Sequence, residues 1–396
     1  MSRSTTALVV PELNGKFELR EVYLDAIQPD EVLVEIHASG LCHTDLSCAT
    51  GVLPCEPGAV LGHEGTSLSV TYPYSGATSP LPTNNRKLTP LPGAGVVLST
   101  GPAVSHVAPG DKVLLSFSHC ESCAQCTSGH PAYCHGFNDR NFGGRRPDGT
   151  SAIHSAPEAE GDDKKGMFST FFGQSSFARH TLVHRSSVVK VDPATDLSLF
   201  APLGCGMQTG AGAVLNSLKV KPGSSVAVFG VGSVGMAAVM AAARISGAGT
   251  VIAVDLQESR LELAKKLGAT HGVLGSAKDV VGEIRKICPP NGVDYAVDCT
   301  GVPAVIKTMI DCLGTRGRGS TVGAPGFGKC VSVDVMEHLT YGKEYVGCCE
   351  GDSLPKEVCF SLVCLSLFLG RAVLTDCVPV HPLPHGGARQ GRVPHG

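Results

Sequence analysis

Ser225-Val-Ala-Val-Phe-Gly230-Val-Gly232-Ser-Val-Gly235-Met-Ala-Ala238 is the stretch on which the fold turns. A β-branched apolar run ends at the first glycine, and an Ala-rich helical pattern opens after the last. In a chain with 49 glycines a lone Gly-x-Gly-x-x-Gly says little. Here a strand precedes the motif and a helix follows it, which is the context it requires. The glycines permit a tight turn and close backbone approach to a pyrophosphate, which the helix N-terminus then faces. The next apolar run, Thr250-Val-Ile-Ala-Val254, ends in Asp255, 20 residues beyond Gly235. A carboxylate there accepts hydrogen bonds from adenosine ribose hydroxyls and repels a 2′-phosphate, so NAD is expected rather than NADP.

Further strand ends follow at Asp294-Tyr-Ala-Val-Asp298, with Cys299-Thr300-Gly301 after it, and at Thr321-Val-Gly-Ala-Pro325. Strands alternating with helical segments imply an α/β fold with a doubly wound parallel sheet and right-handed crossovers. Upstream, short apolar runs alternate with Gly and Pro, as in Glu31-Val-Leu-Val-Glu-Ile-His37, which suits an antiparallel, β-rich domain. The division expected is a β-rich domain over residues 1–204 and a nucleotide-binding domain over 205–346. Residues 138–165 are polar, charged and Gly-rich and are expected to form an exposed loop.

Composition narrows the function. The 396 residues are 42% hydrophobic with a formal charge of −3, which offers no electrostatic attraction to nucleic acid or to an anionic membrane. Seventeen cysteines cannot all pair, and the N-terminus lacks the apolar core of a signal peptide. A reducing, cytoplasmic location with thiolates used for metal is therefore expected. The apolar run from Val358 to Leu369 is too short to span a bilayer, which needs about 20 residues.

Cys120-x-x-Cys123-x-x-Cys126, then Cys134, is a second signal. Four thiolates so spaced can wrap one ion tetrahedrally, the soft sulfurs selecting zinc or an iron–sulfur cluster, and no position is left for substrate. The bland alternative is four unrelated cysteines in a Cys-rich chain. More scattered are Gly40-Leu-Cys42-His43-Thr44-Asp45, Gly62-His63-Glu64-Gly65 and Pro202-Leu-Gly-Cys205-Gly206. Each alone is weak, because a lone buried Cys is usually a small hydrophobe. Together Cys42, His63 and Cys205 make two thiolates and one imidazole, a set that leaves a fourth position open.

With these motifs the chain resembles the zinc-containing medium-chain alcohol dehydrogenases, from about residue 8 to about residue 357, and Phe171-Phe-Gly-Gln-Ser-Ser-Phe177 resembles their aryl (benzyl-type) branch. The resemblance implies a GroES-like β-rich catalytic domain beside the Rossmann sheet, completed by a return of the chain over 347–396. It implies two zinc ions per chain, a catalytic one at Cys42, His63 and Cys205 and a structural one at Cys120, Cys123, Cys126 and Cys134. The catalytic zinc would act as a Lewis acid on a primary alcohol, Thr44 would relay its proton, and NAD would take the hydride. Where relatives often place a proton-outlet histidine, this chain has Ser47. Asp45 and Glu64 would orient ligands or tune the ion, His43 would face the cofactor pyrophosphate, and Arg260 would stand beside the ribose. For Asp45, Glu64 and Arg260 a solvated surface charge is the bland alternative; Phe117 could line the substrate pocket or belong to the core. A small alcohol or aldehyde substrate and a homodimer or homotetramer complete what the family implies. Two other functions stand beside this one: a carbonyl-reducing step of a fungal secondary-metabolite pathway, and a catalytically impaired zinc- and nucleotide-binding remnant.

The remnant reading arises because the pattern breaks twice. Relatives pass from Gly-His-Glu-Gly directly into a strand like Ala94-Gly-Val-Val97, whereas here residues 66–93 intervene, rich in Ser, Thr and Pro and without periodicity. A loop of that size is unusual inside a domain. Gly65-Thr66 and Pro92-Gly93-Ala94 can encode intron boundaries, so an aberrant insertion is expected. After Glu357 the text departs again. A one-base shift of permitted codons across 383–395 yields Phe-Leu-Met-Glu-Val-His-Ala-Lys-Gly-Glu-Phe-Pro-Met, an amphipathic pattern, so a frame change after 357 is expected.

Overall fold

The computed structural model describes residues 3–63, 94–156 and 166–357. Glu64, the expected insertion at 66–93 and the expected altered tail after 357 lie outside the described residues.

Two antiparallel sheets form before position 200. Their strands are β1 (Arg3–Val10), β2 (Glu18–Leu24), β3 (Glu31–Ala38), β4 (Ala59–Val60), β5 (Ala94–Thr100), β6 (Lys112–Leu115), β7 (Ile153–His154), β8 (His180–His184) and β9 (Val188–Lys190). One sheet runs β4-β1-β2-β7 and the other β8-β3-β5-β6-β9. Period-2 alternation sends Val32, Val34 and Ile36 of β3 into one core with Val97, Val113, Leu115 and Val183. The β-rich reading of this half is confirmed.

The second half is a six-stranded parallel sheet of β10 (Ser225–Phe229), β11 (Thr250–Asp255), β12 (His271–Leu274), β13 (Val293–Asp298), β14 (Leu313–Thr321) and β15 (Glu344–Gly347). Its order is β12-β11-β10-β13-β14-β15, so connections leaving β10 run first to one side and then to the other. Such a switch point opens a crevice at the C-terminal strand ends. Alternation explains why these strands read as continuous apolar runs: Val226, Val228, Val251 and Ala253 pack into one core, while Ala227, Phe229, Ile252 and Val254 pack into another on the opposite face. The register pairs Phe229 with Val254 on one side and with Asp298 on the other. Gly230, Asp255 and Cys299 consequently share one edge. Among the described residues no helix is long and apolar enough to cross a membrane.

The exposed loop expected over 138–165 is corrected in its described part. Phe137–Phe142 is a helix and Ile153–His154 is a strand. Asn141 is fully buried, its amide donating to Ser118 O at 3.0 Å while its Oδ1 accepts from Ser118 N at 2.8 Å. Arg146 is only 3% exposed and has partners for its whole guanidinium inside the domain. Polar side chains satisfied internally read in composition like polar side chains facing water.

Candidate functional site

Cys42 caps helix α1 (His43–Ala49), His63 follows β4, and Cys205 precedes the helix Gly206–Gly212. The fold brings their ligand atoms within 4.8 Å of one another. Asp45 organises two of the three. As residue N3 of α1 it accepts the Cys42 N–H at 2.9 Å through Oδ2, closing a capping box. Its Oδ1 accepts the Gly62 N–H and lies 3.0 Å from His63 Nδ1. Asp45 is 0% exposed, which rules out the surface-charge alternative.

With Nδ1 turned to Asp45, His63 Nε2 is buried and finds no partner among the described residues. Burial alone would disfavour the imidazolium, yet Asp45 and Cys42 raise the His63 pKa well above the ordinary value. A pocket of this polarity favours a cation at Nε2, and with two thiols beside it the donor set suits zinc. The aryl-type run supplies the wall. Phe172 stacks on the imidazole at 4.2 Å and Phe171 meets it edge-on at 5.2 Å. Gln174 Nε2 donates to Ser116 O at 3.0 Å and lies 3.3 Å from His63 O. Thr170, Phe172 and Ser175 all have positive φ, between 52° and 57°. Such strain persists only where packing holds it, and it gathers at working sites.

Thr44 Oγ1 lies 3.6 Å from Cys42 Sγ. His43 is exposed at the start of α1, and Ser47 is buried. Phe117 is fully buried, packed against Phe137 at 5.9 Å, so it belongs to the core.

The second cluster lies in one loop. Cys120, Cys123, Cys126 and Cys134 bring all four sulfurs within 4.8 Å, with Cys123 Sγ 3.5 Å and Cys120 Sγ 3.8 Å from Cys126 Sγ. Sulfurs on one tetrahedral zinc stand about 3.8 Å apart. Burial opposes ionisation of Cys120, but hydrogen bonds from Ser122 and the Cys123 N–H outweigh it and bring the thiol down to about 5. Cys126 goes the other way, to about 12, through burial and the neighbouring thiols.

In the nucleotide half, Gly230 turns the chain with a φ of 80°. Gly232 caps the helix Ser233–Met240, which contains Gly235. Asp255 Oδ2 accepts the Val231 N–H at 3.0 Å, and Oδ1 accepts from Gln257 N at 3.0 Å. Arg260 Nη1 is 3.6 Å from Asp255 Oδ2, so the two form an ion pair. The two halves meet at a close helix crossing: a Cβ on Gly210 would sit 2.0 Å from Val234 O. The helix that follows Cys205 thereby rests on the helix that follows the glycine loop.

One residue went unnoticed in the sequence. Glu350 Oε1 lies 3.9 Å from Cys205 Sγ, and burial pushes its carboxyl up to about 7 against the opposing pull of His63. Glu350 stands 145 positions from Cys205, in a Glu-Gly-Asp turn without ligand spacing, so no local signal could have found it.

Two family descriptions match the chain: an alcohol dehydrogenase GroES-like domain over residues 28–68 and 88–193, and a zinc-binding dehydrogenase over 233–361. The geraniol dehydrogenase of Castellaniella defragrans is 35% identical over 355 residues, covering 89% of this chain and 85% of that protein. Among solved structures, an alcohol dehydrogenase zinc-binding domain protein from Burkholderia ambifaria is 43% identical at a TM-score of 0.81, covering 93% of this chain and 90% of that one. The benzyl alcohol dehydrogenase of Acinetobacter calcoaceticus is 38% identical at a TM-score of 0.80, covering 94% and 91%.

Proposed function

The chain belongs to the zinc-containing medium-chain alcohol dehydrogenases, and from that premise we propose that it interconverts a primary aryl or allylic alcohol and its aldehyde, using NAD. The observation that carries the reading is the convergence of Cys42, His63 and Cys205, with the buried Nε2 of His63 turned away from Asp45. The geraniol and benzyl alcohol dehydrogenases among its relatives support the substrate class. They favour it over the carbonyl-reductase and remnant alternatives.

Zinc at those three residues would act as a Lewis acid that lowers the pKa of the substrate hydroxyl. Thr44, beside Cys42, would receive the hydroxyl proton and pass it toward the cofactor ribose and water, since Ser47 stands where a histidine outlet is common. Asp45 fixes the imidazole, and Phe171 and Phe172 keep water from it. The four-thiol loop would hold the structural zinc. His43, Gly230, Gly232, Gly235, Asp255 and Arg260 would hold the nucleotide, with Asp255 selecting NAD.

Asp255→Asn keeps an acceptor for the backbone N–H groups but removes the charge. It is expected to narrow the preference for NAD over NADP by about 10-fold or more, the equivalent of one charged hydrogen bond of roughly 1.5 kcal/mol or above. An unchanged ratio of kcat/KM values would reject Asp255 as the selector. The function itself is tested by incubating the full chain, its zinc content measured, with benzyl alcohol or geraniol and NAD. Aldehyde and NADH in equal amounts are expected; a chain carrying both ions yet producing neither would refute it.

We further propose the domain division 1–204, 205–346 and 347–396, with residues 66–93 an aberrant insertion and the frame altered after 357. The GroES-like match supports the insertion by leaving residues 69–87 unmatched, and the second match ends at 361. A transcript compared with genomic DNA tests both: boundaries lacking GT and AG would sink the splicing explanation. A homodimer or homotetramer is proposed on the exposed apolar side chains of Phe327, Val335, Met336 and Leu339, which precede the edge strand β15. A cytoplasmic location is proposed on the cysteine usage.

A further inference from the structure

Resting on the zinc assignment above, we propose that His130 and Asp352 are positioning residues for Cys205. Their contact carries the state of the four-thiol loop to the site formed by Cys42, His63 and Cys205. Neither residue belongs to either donor set.

The link runs through a strained turn. Glu350, Gly351 and Asp352 have φ of 47°, 71° and 45°. For the two non-glycine residues this conformation is unfavourable and persists only where neighbours enforce it. One face of the turn lies against the helix Gly206–Gly212, which Cys205 leads. The approach is close enough that a Cβ on Gly212 would collide with Gly351 O and Ser353 Oγ. Ser353 is fully buried, and its hydroxyl donates to Gln208 O at 3.5 Å. Asn216, on the continuation of that helix over Ala213–Ser217, donates through Nδ2 to Gly351 O and Asp352 O, both at 3.1 Å.

The four-thiol loop holds the turn from the other side. His130 Nδ1 lies 2.8 Å from Asp352 Oδ1, across 222 positions of the chain. Tyr133 Oη donates to Gly347 O at 3.4 Å, where β15 ends. Both residues sit between Cys126 and Cys134. His130 is fixed there by its backbone, its N–H donating to Gln125 O at 2.9 Å and its carbonyl accepting from Tyr133 N at 3.0 Å. The turn is therefore wedged between the loop of one metal site and the helix of the other.

Four thiolates on one ion fix Cys126 and Cys134, and with them the residues between. Without that closure His130 loses its place and Asp352 its outer partner. The turn then relaxes toward ordinary φ values, and the helix behind Cys205 loses a support. An ion with no open position thus acts on the geometry of the site that has one.

The test uses the full chain with cobalt(II) or zinc at the three-donor site. His130→Ala is expected to weaken that ion about 3-fold in competition with a chelator, a size that suits a half-exposed pair. It is also expected to shift the visible cobalt band. Asp352→Ala should do the same, and the double variant no more than either single, because the two share one contact. His130→Gln keeps an N–H toward Asp352 and should restore most of the affinity. Cys123→Ser, which opens the four-thiol site, should give the larger loss, about 10-fold. If that variant folds poorly, the His130 and Asp352 cycle decides. A contact that only adds stability would lower the denaturant midpoint and leave the band unmoved. An unmoved band with wild-type affinity in folded His130→Ala and Asp352→Ala chains would overturn the inference, as would additive losses in the double variant. A wild-type chain that loads no metal at Cys42, His63 and Cys205 would instead overturn the zinc assignment itself.

Discussion

His63→Ala is expected to lower kcat/KM for the alcohol by about 1,000-fold or more and to reduce the metal content from two ions per chain to one. The imidazole is the one neutral donor of its set: Nε2 is turned away from Asp45, and the ring is enclosed by Phe171 and Phe172. Loss of a Lewis acid removes several kcal/mol of stabilisation from the developing charge, and each 1.4 kcal/mol or so is tenfold in rate. The variant separates site loss from unfolding, because the four-thiol loop and the glycine turn lie on other elements. Metal analysis should find the remaining ion at Cys120, Cys123, Cys126 and Cys134, and NADH binding should persist. A variant that keeps both ions and near-normal turnover would refute the role given to His63.

The largest stability effect is expected at Arg146, away from the metal. Its Nε and Nη2 grip Glu31 at 2.7 and 2.9 Å, while Nη1 reaches Asp25 at 2.5 Å and Ser151 O at 3.0 Å. Nη2 also donates to Ala26 O at 3.0 Å. Arg146 and Glu31 are each 3% exposed. Arg146→Met would leave the Glu31 carboxylate buried and unpaired, a loss of about 3–5 kcal/mol. The denaturant midpoint of the β-rich half should fall accordingly. Adding Glu31→Met should recover much of it, since removing both charges leaves no buried charge unpaired. Equal stability of wild type and Arg146→Met would show that the pair contributes nothing, and a double variant worse than the single would contradict its cause.

These two residues mark the limits of sequence reading from opposite sides. His63 was singled out from a Gly-His-Glu-Gly run, though only in company with Cys42 and Cys205, and the fold gathers the three. Arg146 fell within a stretch whose polarity suggested an exposed loop. The difference lies in what each reading relied on: a donor set of defined chemistry in one case, and average polarity in the other. Average polarity is blind to whether a partner is water or a buried carboxylate. Phe117 was left open between pocket and core, because an apolar side chain carries the same pattern in both.

What the sequence determined by itself was whatever closes over short distances along the chain. The strand, glycine turn and helix around Gly230 are one local unit, and four cysteines within one loop can reach a common ion by spacing alone. The alternation of apolar residues in β3 and the continuous apolar runs of β10 and β11 likewise declare which faces are covered. Tertiary structure alone decided how His63 is held, that Arg146 is interior, and that Glu350 reaches Cys205 across 145 positions. These outcomes depend on partners supplied by distant segments and on left-handed turns at Phe172 and Glu350 that packing imposes against local preference. No window along the chain contains both the residue and the neighbour that determines its conformation.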